Sequence, residues 1–481
     1  MRRSHTRWVN TAVILDHLRT HGAPLTLTRA GVVSWDDAEF HRAAHATDPE
    51  CYLLLALVPG VHESQRTRVL LQTLLASRAD LPEASRVVLD KATRALIFGL
   101  PPAQVVTVLL AARRLRANHK HVTRAILAFV LDHPDAELLI AARRPALVDC
   151  FEHALGKNTA RGCLRLIAEG DVDSPELRRK VLRFTTNPVQ AVERVRQLYA
   201  PGTHGVPVLT EPVAPLEPVR VRESIVTVTN RGDIAATLVH LFRGGSAHEL
   251  GSALTAYIAA ATRAVPRLPG HVALVLDTSE SMRGYGEREW ALLSQAEALR
   301  LVLDRVCARL SVIEVGAGQS APTDLATGVL DALETVVAMD GPRPGANPEG
   351  PFGEPNVVPA RVVVEDPQTA GEETASGAPD LVIVVTDGYE NRLPGDLARV
   401  AATLSAIGVR TPIMVCRAMF TGSDDRTLRD PAPALPTTGF WHQDDFAALL
   451  PWLFARTPAG ADWLRAAAHR YLDARLEGVT G

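Results

Sequence analysis

Apolar residues recur at helical spacing through the first 200 positions. The runs are LLLALV (53–58), VLLQTLLASR (69–78), VVLDKATRALIFGL (87–100), QVVTVLLAARRLRA (104–117), VTRAILAFVLDH (122–133) and ALVDCFEHAL (146–155). Breakers separate them: Pro59-Gly60, Leu81-Pro82, Pro101-Pro102, His133-Pro134, Pro145 and Ser174-Pro175. Short helices punctuated in this way predict antiparallel pairs stacked as an irregular α-solenoid. That is a HEAT-like helical-repeat domain over 1–200, although the pattern has no clean repeat period.

Residues 201–218, PGTHGVPVLTEPVAPLEP, lack periodicity and have the composition of a semi-extended linker. RVRESIVTVT (220–229) alternates like a strand, and 233–264 return to helix, so 201–267 read as linker and bridging helices. From His271 the rhythm changes. VALVLD (272–277), LSVIEVG (310–316), LVIVVTD (381–387) and TPIMVCRA (411–418) read as buried strands. REWALLSQAEALRLVLDRVC (288–307), DLATGVLDALETVVA (324–338), DLARVAATLSAIG (396–408) and DFAALLPWLFAR (445–456) read as helices between and after them. Such alternation predicts a doubly wound parallel sheet covered on both faces, here over 268–455. Residues 339–379, rich in Pro, Gly and Glu, predict a long loop or disordered insertion, and 456–481 a C-terminal helix. The expected fold class is α + α/β.

Bulk composition changes this picture little. Of 481 residues 47% are hydrophobic and 22% charged, which suits globular domains. The net charge of −3 hides an asymmetry: 1–200 hold 28 Lys and Arg against 20 Asp and Glu, and the remainder holds 23 against 34. A mildly basic front and an acidic back can serve two unlike partners. Cys51, Cys150, Cys163, Cys307 and Cys416 are scattered in apolar runs and form no CxxC pair, so buried reduced thiols are expected. The basic N-terminus has too short an apolar stretch for a signal peptide, and no run is long enough to span a membrane. A cytoplasmic protein without membrane partners is the expectation.

In doubly wound sheets ligands sit beyond the C-terminal strand ends. There the sequence places Asp277-Thr278-Ser279-Glu280-Ser281, then Thr323-Asp324, then Thr386-Asp387-Gly388. Alternation lets Asp277, Ser279 and Ser281 point the same way. All donors are oxygen and none is His or Cys, a set that suits a hard octahedral cation, Mg2+ or Mn2+. This DxSxS…T…D pattern resembles the metal-ion-dependent adhesion site of the von Willebrand factor A (vWA) family, over about 268–455. The five matching positions are Asp277, Ser279, Ser281, Thr323 and Asp387. The resemblance implies that Ser279, Ser281 and Thr323 touch the ion, directly or through water, that Asp277 and Asp387 hold its waters, and that an acidic side chain of a partner fills the sixth position. A polar strand-to-helix turn would explain DTSES alone, but neither Thr323 nor Asp387. A dehalogenase-type nucleophile loop would need a second carboxylate, its general acid, where Ser279 stands.

A helical front half followed by such a domain resembles the Ro autoantigen-like proteins built on the TROVE module, and HALGKNTARG (153–162) is similar to a Leu-Gly-Lys-x-Thr-Ala stretch of that family. The resemblance implies a helical scaffold that binds small structured noncoding RNA as a ribonucleoprotein component. Candidate RNA contacts are Arg113, Arg114, Arg116, His119, Lys120, His121 and Arg124, then Arg143, Arg144, Lys157 and Arg161, with a further basic run at Arg178, Arg179, Lys180 and Arg183. Charges at helix ends also arise simply by complementing the helix dipole. Aromatic residues are 5% of the chain, so phosphate and shape recognition would outweigh base stacking. The rival reading is a vWA adaptor gripping an acidic protein in an AAA+ chaperone or bacterial defence assembly, without RNA. No catalysis is expected: Phe151 and Asn158 spoil a phosphate loop at 151–158, His248-Glu249 lacks the second His of a zinc protease, and His119 and His121 have no carboxylate or Cys cluster nearby in sequence.

Overall fold

The computed structural model describes residues 10–28, 31–200, 211–217, 233–316, 324–334, 378–390, 393–420 and 430–479. The chain divides into two compact units, 1–219 with 468–481, and 220–467.

The first unit opens with α1 (Thr11–Arg19) and a small antiparallel ladder of β1 (Thr26–Leu27) and β2 (Val33–Ser34). Helices follow: α2 (Ala38–Thr47), α3 (Pro49–Leu55), α4 (Glu63–Leu75), α5 (Glu83–Gly99), α6 (Pro102–Arg114), α7 (Lys120–Asp132), α8 (Ala136–Leu155), α9 (Lys157–Ala168), α10 (Pro175–Lys180) and α11 (Pro188–Tyr199). Proline opens α3, α6, α10 and α11, where its missing N–H costs nothing. From α2 to α8 each helix packs on the helix two places further on, which gives two stacked rows with Leu54, Leu70, Leu96, Leu109, Ile126 and Phe129 fully buried between them. Pro145 kinks α8 instead of ending it. Arg143 takes φ −135° and ψ 24° just before the ring, which would otherwise collide with the preceding turn.

Part of the supposed linker is firmly placed. Ala214 N–H donates to the Phe98 carbonyl at 3.0 Å, and Glu217 accepts from Arg66 at 2.5 Å. Leu216 lies so close to α5 that a Cβ on Gly99 would fall 2.7 Å from its Cγ. From α19 (Gly460–Val479), Tyr471 donates to the Leu216 carbonyl and Arg475 to those of Ala214 and, at 2.9 Å, Pro215. Residues 211–217 are therefore a strap held on both sides. The strand expected at 220–229, and 339–377 of the expected insertion, lie outside the described residues.

In the second unit α12 (Ile234–Phe242) and α13 (Ala247–Thr262) pack on α15 (Ala291–Val306). The helices expected to bridge two domains thus belong to one, because the apolar face of α12, with Leu238 and Val239, is covered there. The strands are β3 (Leu268–Asp277), β4 (Cys307–Val315), β5 (Leu381–Thr386), β6 (Ile413–Ala418) and β7 (Thr437–Phe440). Their order is β4-β3-β5-β6-β7, and each described pairing is parallel. One face of the sheet carries Ala273, Val275, Val382, Val384 and Val415 against α16 (Leu325–Glu334) and α17 (Asp396–Ala406). The other meets α15, and α18 (Phe446–Phe454) packs beside β7. Helical stack plus five-stranded parallel sheet is the expected α + α/β class.

Candidate cation site and basic surface

Strand order reverses between β3 and β5: the chain leaves β3 outward to β4, then returns to the far side of β3 to lay down β5. At such a switch point the loops after the two strands part and leave a crevice at the carboxyl ends. Asp277 ends β3 and Asp387 follows β5, so the two carboxylates flank that crevice. Short α14 (Glu280–Arg283) starts directly beyond β3 and carries Ser281 in its first turn.

The backbone of this loop is fixed from three sides. Thr278 donates both its N–H and its hydroxyl to the Val315 carbonyl of β4, each at 2.9 Å. Asp277 Oδ1 accepts the Ser279 N–H at 3.0 Å, and Oδ2 accepts the Thr386 hydroxyl at 2.8 Å. Thr386 Oγ1 accepts in turn from Gly388 N–H at 3.1 Å, and Asp387 Oδ1 from Tyr389 N–H at 3.1 Å. Gly316 follows β4 at φ +85°, and a Cβ there would lie 3.3 Å from Ser279 Cα. Only glycine combines that conformation with so close an approach. The sequence reading placed Thr386 and Gly316 at these strand ends but gave neither a role in the site. A hydroxyl ending the otherwise apolar LVIVVT and a glycine ending LSVIEV were the available signals.

The donor set fits a hard cation. Ser279 Oγ and Ser281 Oγ lie 3.0 Å apart. Neighbouring ligands of an octahedral ion with bonds of about 2.0–2.1 Å stand about 2.9 Å apart. Asp277 is fully buried and Asp387 is 3% exposed, while Ser281 is exposed and keeps the mouth open. Burial raises the Asp277 carboxyl above its ordinary value; hydrogen bonds from Ser279 and Thr386 pull it back and the charge of Asp387 adds to the rise. Burial likewise raises Asp387, against hydrogen bonds from Tyr389 N–H and Ser281. Two buried carboxyls that resist ionisation gain most from a nearby positive charge. Thr323 lies outside the described residues; beside it Asp324 Oδ1 accepts Thr327 N–H at 2.8 Å in the first turn of α16.

The candidate RNA contacts fall into two sets. Arg114, Arg116, Lys120 and Arg124 are exposed around the corner between α6 and α7, with His119 capping α7. Arg143, Lys157 and Arg161 are exposed around α8 and α9. Three others are turned to structural tasks. His121 is buried with Nε2 at 3.2 Å from the Leu74 carbonyl, and burial, aided by the charge of Arg78, pushes it down to about 3, so it offers no cation at the surface. Arg144 donates to the Ala200 carbonyl at 2.8 Å, and Arg113 is paired with Asp149 at 2.9 Å.

Arg116 has an uncommon backbone. Ala117 N–H donates to the Ala112 carbonyl and Arg116 N–H to that of Arg113, at 2.9 and 3.0 Å, which is a Schellman closure of α6. Helices α9, α12 and α17 close in the same way around Gly170, Gly244 and Gly408. In α6 the left-handed position, φ 58°, is an arginine. A long side chain there costs about 1–2 kcal/mol relative to an unstrained one.

Among the described residues one His and Asp cluster has metal-ligand spacing, His17, Asp37 and His41. One oxygen of its carboxylate is already occupied. Asp37 Oδ2 meets His17 Nε2 at 2.8 Å, His41 Nε2 at 3.3 Å and the buried Arg68 guanidinium. Burial raises Asp37, but His17, His41 and Arg68 outweigh it and pull the carboxyl down to about 2. A resident guanidinium stands where a cation would have to enter.

No family model matches the chain, and no curated protein matches it. Among solved structures it is similar to the Ro (RSR) protein of Deinococcus radiodurans, at 12% sequence identity and a TM-score of 0.35, with 96% of this chain and 99% of that chain covered.

Proposed function

We propose that the chain is a cation-dependent binding protein, a Ro-like ribonucleoprotein component. Its vWA-type sheet edge would hold Mg2+ (or Mn2+), and its helical unit would bind small structured RNA. The convergence of Asp277, Ser279, Ser281 and Asp387 on the switch-point crevice carries this reading, with the Ser279 and Ser281 hydroxyls 3.0 Å apart, a spacing that two neighbouring octahedral ligands can share. Ser279 and Ser281 would ligate the ion; Asp277 and Asp387 would hold its waters and balance its charge. The ion, when bound, supplies a coordination position for an acidic oxygen of a partner. The hydroxyls of Ser279 and Ser281 and the carboxylates of Asp277 and Asp387 are the groups an ion would engage, so the reading is binding and not turnover.

Two features support RNA on the helical unit. One is the exposed cluster Arg114, Arg116, Lys120 and Arg124. The other is Arg116 itself, because a costly residue at a glycine position points to a use for its side chain.

Thermal melts test the cation. Mg2+ at about a hundred times its dissociation constant should add roughly 2.7 kcal/mol, and Asp277→Ala should remove the gain. Identical melts in Mg2+ and chelator would refute the site. RNA titrations over several salt concentrations test the other half. Affinity should fall by about 0.7 log units per tenfold salt for each single-strand phosphate neutralised, and replacing Arg114, Arg116 and Lys120 together should flatten that slope. Binding no tighter than to heparin, with the metal response intact, would leave a protein adaptor whose cation site grips an acidic partner.

A further inference from the structure

A cavity of about 690 Å³ opens in the first unit. Residues Lys120, Arg124, Ala128 and Asp132 line it at intervals of four, so one stripe of α7 forms its floor from end to end. Arg94 of α5 and the segment Arg183-Phe184-Thr185-Thr186 form the walls. The volume falls within the ~300–1,000 Å³ usual for small-molecule sites and far exceeds what a bare anion fills.

Its lining is chemically divided. Four cations and one carboxylate leave a clear positive excess. Two cations are held in place: Arg124 by Asp90, and Arg94 between Asp132 at 3.5 Å and the Phe98 ring, 4.9 Å from the ring centroid. Lys120 and Arg183 have no carboxylate partner among the described residues. Lys120 also opens α7, whose N-cap His119 makes no side-chain cap, so first-turn N–H groups and the helix dipole add to the positive end. The other chemistry is flat and apolar. Phe184 is half-buried, with the Arg183 guanidinium 4.5 Å from its ring centroid.

Asp132 sets the wall between these parts. Its side chain is 3% exposed. Oδ1 accepts the Thr185 hydroxyl at 2.6 Å and Thr186 N–H at 3.1 Å, while buried Oδ2 faces the Arg94 guanidinium at 3.5 Å. Phosphate-binding cations beside an aromatic plane match the phosphate and the base of a nucleotide.

We propose that this cavity binds a nucleoside phosphate, its phosphate on Lys120, Arg124, Arg94 and Arg183 and its base on Phe184. The inference stands on the cavity and not on the RNA reading, since a free mononucleotide would satisfy it. Calorimetric titration of the full chain with AMP, adenosine and inorganic phosphate tests it. AMP should bind, with adenosine and phosphate each at least about tenfold weaker, because each lacks half of the contacts. Phe184→Leu should weaken AMP by about fivefold or more and leave phosphate unchanged. Lys120→Gln with Arg183→Gln should weaken both, with melts showing that the variants fold. Equal affinity for phosphate and AMP, competition by polyglutamate as strong as by AMP, or indifference to both variants in folded protein would overturn the proposal. Short oligonucleotides with and without a terminal phosphate then separate the sources: a phosphorylated strand tighter than AMP marks a strand end, and the reverse marks a free nucleotide. Loss of AMP binding with structured-RNA binding retained would sink this site and leave the RNA reading standing.

Discussion

Arg116 is a residue whose local cost can be separated from its use. Arg116→Gly frees the left-handed position that glycine fills in α9, α12 and α17. The relief of about 1–2 kcal/mol is partly offset by the about 0.4–1 kcal/mol that glycine adds to the disorder of the unfolded chain. Stability should rise slightly or hold, while RNA affinity at low salt falls. A fall in stability of more than about 1 kcal/mol would show that the side chain is structural. At this scale the sequence was most legible where residues end strands. Asp277, Ser279, Ser281 and Asp387 could be read because a polar run after an apolar strand has one place to go. Burial of single residues was less legible: His121 shares its segment with exposed Lys120 and Arg124, and only the packing of α7 turns it inward.

Elements show a similar division. Long amphipathic helices and all-apolar strands were found, most with ends displaced by a few residues, but α4 and α8 begin six and ten residues before the runs read at 69–78 and 146–155. Strand β7, TTGF, was not found, because four residues at a sheet edge have neither length nor alternation. The strap 211–217 was read as linker from its prolines, since its order comes from Arg66, Tyr471 and Arg475, which are far away in sequence. Its fit is testable at one atom. Gly99→Ala would place a Cβ 2.7 Å from Leu216 Cγ and 3.2 Å from the Ala214 carbonyl. A backbone neighbour yields poorly, so a loss of about 1–3 kcal/mol is expected by denaturant unfolding. An unchanged midpoint would mean that the strap is not bound in solution.

For the whole molecule, two units imply two responses. His41, His45 and His133 are pushed down to about 4, and His121 to about 3, in each case chiefly by burial, and all four lie in the first unit. They are neutral in the fold but take up protons in the unfolded chain below its ordinary value of about 6.5. The unfolded state then holds more protons, so stability is lost as pH falls from about 6.5 toward 4, at up to about 1.4 kcal/mol per pH unit for each group. The proposed cation would act on the second unit. Calorimetry should resolve a transition that moves with pH between about 6.5 and 4 and another that moves with Mg2+. One transition displaced equally by both would contradict this assignment.

The division into units also has a consequence for the order in which the chain can mature. Residues 468–475 belong with the first unit, yet about 250 residues separate them from the strap they clamp. At roughly 5–20 residues per second, the helices of the first unit wait on the order of 10–50 s during synthesis for the contacts of Tyr471 and Arg475. Through that interval the strap is held to the first unit by the bonds of Arg66 and Gly60 to Glu217 and of Ala214 to Phe98, without the clamp of α19. A nascent chain arrested before Ala468 should be digested by protease at the strap, while one extended past Arg475 should resist. The first unit to be made is thus the last to be finished.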